Sequence, residues 1–260
     1  MLFRHLRASL REPEFWAYAT WLDIVTKYRR SRLGLVWLLM PPALYTFGVG
    51  TFFARLQNSD PLEFIPHLGI GYVVFRLLSN TINDACSALP NHSSFILDGH
   101  MRLTDFVLRV LAKALFYFLT AAPLMVIALA MAPNFQPAGL VSLLPALLVA
   151  VLNVSWIGIV VSLLGARFPD IHELMGSVFV FGFILTPILW YADRAPAGTA
   201  RGTFMRMNPL YHMVESVRAP LLGEPIEPLT FYYLAVMTVL GWIIAWWLYR
   251  RYARFVPLWV

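Results

Sequence analysis

Residues 114–166 read ALFYFLTAAPLMVIALAMAPNFQPAGLVSLLPALLVAVLNVSWIGIVVSLLGA, without one Asp, Glu, Lys or Arg. A helix crosses the hydrocarbon core of a bilayer with about 20 apolar residues, so this stretch has room for two crossings. The turn between them falls at APNFQPAG (132–139), where Pro, Asn and Gly interrupt the apolar run. Apolar residues do not alternate with polar ones here, as they do in the strands of a membrane barrel. The helix is the other form that pairs every backbone amide inside lipid. The expected fold class is an all-α membrane protein.

The rest of the chain agrees. Hydrophobic residues make up 59% of the 260 and charged ones 13%, with mean hydropathy +0.66; soluble domains carry about 25% charged residues. Six apolar segments are expected to span: Leu33–Ala54, Phe64–Asn83, Phe106–Met131, Leu140–Leu164, Leu174–Ala192 and Pro228–Tyr249. Fourteen Lys and Arg residues then fall on one side, on the N-terminal arm, in the 102–113 loop, at Arg167 and in the tail. Arg55, Arg194, Arg201, Arg206 and Arg218 fall on the other. The positive-inside rule makes both termini cytoplasmic.

Two segments outside the spans carry structure of their own. Residues 13–30 mix Trp, Tyr and Phe with polar residues and end in KYRR, which suits a helix lying in the cytoplasmic interface among membrane lipids. Residues 193–227 are half apolar and too long for a bare loop, so short outer helices dipping into the membrane are expected. The N-terminal MLFRHLRASLREPEFW lacks the continuous apolar core of a cleavable signal peptide. A single cysteine, Cys86, excludes an intrachain disulfide.

Several kinds of chemistry are absent from the sequence. Neither lysine, Lys27 or Lys113, follows a glycine, so no phosphate-binding loop exists. There is no HExxH zinc site, no G-x-S-x-G elbow and no acidic residue inside any expected span. Nucleic-acid binding is excluded by the lack of a basic run beside stacking aromatics. No catalytic or metal-binding set emerges, so energy for any transport comes from outside the chain, or transport is passive. Arg76 is the one ionised side chain set deep inside an expected span, since Arg109 and Lys113 lie near the start of the third. Its cost in lipid makes it a candidate for function, and reaching the boundary or pairing with Glu63 or a carboxylate of the outer segment is the alternative.

KYRRSRLGLVWLLMPP (27–42) resembles the opening signature of the permeases of polysaccharide-exporting ABC transporters. NHSSFILDGHMRLTDFVLR (91–109), ARFPDIHELM (166–175), TPILW (186–190) and NPLYHMVESVRAPLLG (208–223) resemble later signatures of that family, in the family's order. The chain departs from the pattern at Met40-Pro41-Pro42 and at Asp98-Gly99-His100. The resemblance implies one permease domain over residues 1–260, paired with a second copy of itself in a bacterial inner membrane. Two nucleotide-binding subunits would hold ATP and Mg, and the channel would pass a lipid-linked glycan such as O-antigen, capsule or teichoic acid. It places spans one and five at the dimer centre, which makes Tyr45, Phe52, Phe181, Trp190 and Tyr191 the candidate channel walls. Segment 90–105 becomes the contact with the ATPase, with Phe95, Ile96, Leu97 and Leu103 as apolar anchors and Asp98, His100 and Arg102 as polar rim. Export of a lipid or drug by a similar permease, and a membrane-embedded transferase, are the competing readings.

Overall fold

The computed structural model describes residues 1–99 and 101–260, and no strand occurs among them. Twelve α-helices follow one another: α1 (Leu2–Arg11), α2 (Glu14–Tyr28), α3 (Met40–Ala43), α4 (Gly50–Leu56), α5 (Pro61–Cys86), α6 (Ser93–Leu97), α7 (Leu103–Met131), α8 (Gly139–Arg167), α9 (Ile171–Leu185), α10 (Ala200–Met207), α11 (Pro209–Leu221) and α12 (Pro228–Tyr252). Their starts are written locally. Asp60 accepts a hydrogen bond from the Leu62 amide ahead of Pro61, Asn208 does the same for Leu210 ahead of Pro209, and Asp105 Oδ2 accepts from the Arg102 amide at 3.0 Å.

Four helices are long and apolar enough to cross a membrane: Pro61–Cys86, Leu103–Met131, Gly139–Arg167 and Pro228–Leu258. The other two expected spans take a different form. Residues 34–56 make one continuous but irregular run, 3-10 over Gly34–Leu38, α over Met40–Ala43, π over Leu44–Val49 and α again to Leu56. The cause is Pro41-Pro42, which cannot donate amides to the carbonyls of the preceding turn, so the hydrogen-bond pitch changes along the run. The expected span 174–192 begins earlier and stops at Leu185. Pro187 pushes Thr186 into extended backbone, ψ 134°, and the helix ends there. Its 15 residues measure about 22 Å, short of the ~30 Å hydrocarbon core.

The centre of the bundle is α5. Of its most apolar window 72% is buried, against 17% for α7 and 22% for the last helix, because α5 packs on α4, α7, α8, α9 and α11 together. Gly165 of α8 lies on the Cys86 carbonyl so closely that a Cβ would stand 1.9 Å from the oxygen, which fixes small residues at that crossing. Asn153 of α8 donates to Thr238 of α12 at 2.8 Å and accepts from the Trp156 indole at 3.0 Å. Outward faces of α7, α8 and α12 present Leu119, Val126, Val141, Leu144, Val236 and Val239, an apolar belt suited to lipid or to a partner helix.

At one end the N-terminal helices clamp the start of α7. Ser9 bonds Thr104 at 2.7 Å, Asp23 holds Arg109 through two bonds of 2.7 and 2.9 Å, Glu12 pairs with Arg102, and His5 Nδ1 meets the Tyr249 hydroxyl at 2.9 Å. The sequence called for a single interfacial helix over 13–30. Instead α1 is a separate helix and the more strongly amphipathic of the two, while α2 exposes Tyr18, Trp21 and Leu22 and buries Thr20 and Ile24.

Candidate functional site

A cleft of about 480 Å³ opens between the irregular 34–56 run, α5 and α9. Its floor is aromatic. Tyr45 and Tyr72 stack with ring centroids 4.1 Å apart and planes 6° from parallel, and Phe183 sets its edge against both. Phe75 and Phe179 continue the surface. Along α5 the residues Tyr72, Arg76, Ser79, Asn80 and Asn83 recur at helical spacing and all line this cleft. Arg76 has no carboxylate of the described residues within 4.0 Å, so pairing with Glu63 does not occur.

The five sequence-selected wall residues do not share one surface. Tyr45 lies in the cleft. Phe181, 68% exposed, points out from the opposite face of α9, and Phe52, 62% exposed, lies edge-on to Phe53 and faces outward too. Trp190 lines a separate apolar recess of about 580 Å³ with Phe204 and Met205, its indole donating to the Ile184 carbonyl. Tyr191 borders an outer pocket of about 680 Å³. Trp190 and Tyr191 diverge because α9 ends early and residues beyond Pro187 leave its helical phase, while Phe181, two residues from Phe183 on the same helix, falls on the opposite face.

The outer pocket sits over an ionic network that the sequence did not reveal. Arg218 is fully buried. It pairs with Glu215 one turn back, donates to the Pro187 carbonyl at 2.6 Å and reaches His67 Nε2 at 3.1 Å. His67 Nε2 also lies 3.2 Å from the Trp190 carbonyl, and its Nδ1 faces Glu224 Oε1 at 3.8 Å. Burial works to raise the Glu224 pKa, but His67 and Arg218 outweigh it and hold the carboxyl below its ordinary value. Arg218 was placed among outer-loop charges because its segment was read as lying beyond the spans. The signal was available: Glu215 and Arg218 stand i, i+3 inside LYHMVESVRAPLL, a spacing that faces them together on a helix with little else charged. Asn208 further ties the outer helices to the end of α9, donating to Thr186 at 2.9 Å.

The segment expected to contact an ATPase forms a 3-10 turn over Pro90–His92 and the short α6. Leu97, 60% exposed, Phe95 and Asp98 face outward. Ile96 is 5% exposed and packs into the interior, so it is no surface anchor; successive residues of a short helix cannot all face one way. Arg102 is engaged by Glu12, Leu103 is half-buried at the start of α7, and His100 lies outside the described residues.

Residues 15–222 match the profile of the ABC-2 type transporter family. That match covers most of the chain, including the cleft, His67, Glu215 and Arg218 of the network, and α6. The chain belongs to the ABC-2 type transporter family. It is thus the membrane component of a transporter and not itself an enzyme, and permeases of this family work with separate ATPase subunits in export systems. Among its relatives is the capsule polysaccharide export inner-membrane protein CtrC of Neisseria meningitidis serogroup B, 21% identical over 207 residues that cover 78% of this chain and 77% of the relative. The O-antigen export system permease protein RfbA of Myxococcus xanthus is 21% identical over 227 residues, 85% of each chain. The capsule polysaccharide export inner-membrane protein BexB of Haemophilus influenzae is 22% identical over 214 residues, 78% of this chain and 77% of BexB. As an ABC-2 permease the chain is a multi-pass membrane protein, and the buried Glu215–Arg218 pair of α11 sits within its matched region.

Proposed function

We propose that this permease forms, with a second copy, the channel of an ATP-driven exporter that moves a lipid-linked polysaccharide across the inner membrane. The observation that carries the reading is the cleft of stacked rings, Tyr45 on Tyr72 with Phe183 at their edge. Sugar rings present flat C–H faces that pack on aromatic rings, and relatives named for capsule and O-antigen export fit the same cargo. In this reading the irregular run and α9 complete six crossings, both termini are cytoplasmic, and α10–α11 re-enter the outer leaflet. Phe52 and Phe181 turn toward the second copy. Two ATPase subunits bind ATP and Mg and push on α6 through Phe95 and Leu97.

The test replaces Tyr45, Tyr72 and Phe183 singly by Ala in cells whose surface glycan depends on this permease. Surface polymer and intracellular lipid-linked polymer are then both measured. Expected is a several-fold loss at the surface with accumulation inside. Full export from all three variants removes the cleft from the path, and normal surface glycan in a strain lacking the permease sinks the polysaccharide assignment.

A further inference from the structure

We infer that the cleft around Arg76 is a binding site for an acidic sugar unit, with Arg76 taking its oxyanion and the stacked aromatics its ring face. The inference rests on the polysaccharide reading above and narrows it to an anionic class of glycan.

Arg76 stands ten residues from the nearer end of α5, about 15 Å along the axis. Arg76 is half-buried beside the cleft, within the helix and away from either end. No carboxylate of the described residues lies within 4.0 Å of it. A cation at that depth is costly unless an anion joins it, and the cleft at about 480 Å³ has the size of a ligand pocket. A second observation points to a sugar and not to a bare anion. Asn83 lies two helical turns from Arg76 on the same face and lines the same cleft, where its side-chain amide can bond a ring hydroxyl. Tyr72, one turn before Arg76, offers its stacked ring beside the guanidinium. Oxyanion, hydroxyl and ring face are thus each met by a separate side chain.

The experiment uses the full chain in phosphatidylcholine nanodiscs. The probes are a labelled hexasaccharide of alternating glucuronate and N-acetylglucosamine and its carboxyl-reduced counterpart, which differs only in charge. Wild type is expected to bind the acidic form roughly tenfold more tightly, R76Q to lose that preference, R76K to regain part of it, and N83L to weaken both forms together. Equal binding of the two forms by wild type, or an unchanged preference in R76Q, overturns the acidic-sugar site and leaves polysaccharide transport standing. Binding of neither form overturns both. A short-chain polyprenyl phosphate that competes as well as the acidic hexasaccharide shows that Arg76 holds a carrier phosphate, and the sugar assignment falls.

Discussion

Arg218 is the residue on which the outer half of the molecule depends most. Its guanidinium lies against Gly71, with a Cβ there only 3.3 Å from Nη1, and its charge is met by Glu215 alone among the carboxylates within pairing distance. Breaking a buried pair from one side costs about 3–5 kcal/mol, while replacing both partners by apolar residues is often close to neutral. Arg218→Ala is therefore expected to lower the melting temperature of the purified permease strongly, and the double variant E215L/R218M to recover most of it; equal loss in both contradicts a desolvated pair. Glu224 supplies a pH signature. Its folded pKa lies below the ordinary 4.5, so its contribution is complete above pH 4.5 and disappears as pH falls through the folded value. Melting temperature followed from pH 6 to pH 3 should drop less in Glu224→Gln than in wild type, and parallel curves would remove Glu224 from the network. Arg76 was visible in the sequence because one charge inside an apolar run stands out. Arg218 was not, because charge alone does not tell a loop residue from one folded back into the bundle; its burial depends on α5 and α9 meeting α11.

Among the elements, the four long helices were legible because apolar length alone defines them. The irregular run and α9 were located correctly, but their form was decided by prolines at 41, 42 and 187, whose effect on pitch and helix length a hydropathy window does not register. The same limit applies to α6. A segment with apolar and charged residues was recognisable, yet its facing was set by only five helical residues. Leu97→Asp is expected to change the unfolding free energy by no more than about 0.5 kcal/mol and to uncouple export from ATP hydrolysis. Ile96→Asp buries a charge and should instead unfold the region. Equal stability of the two variants contradicts the placement of Ile96. At the α5–α8 crossing, Gly165→Val must displace the Cys86 backbone, and a sharp loss of folded protein on size-exclusion chromatography is expected.

Across the whole molecule, charge and apolar surface are sorted by position. Asp23–Arg109, Asp84–Lys113 and Glu12–Arg102 gather where α1, α2 and α5 meet α7, while the flanks are apolar. The exposed indole of Trp21, edge-on to Phe116, is placed to sit at headgroup depth. Brominated lipids should quench its fluorescence in a variant keeping only this tryptophan, and an indole quenched only by aqueous iodide would contradict an interfacial α2. If Phe181 faces the second copy, F181C should form an intermolecular disulfide in membranes under mild oxidation.

Cys86 makes that kind of experiment simple. Its sulfur is buried and bonded to the Ile82 carbonyl at 3.2 Å, and Gly165 presses on its backbone. A thiol reacts as the exposed thiolate, so maleimides and oxidants have no target in the native chain. The wild-type permease is its own silent background: any cysteine added for labelling, spin probes or cross-linking reports alone, and nothing in the bundle has to be removed first.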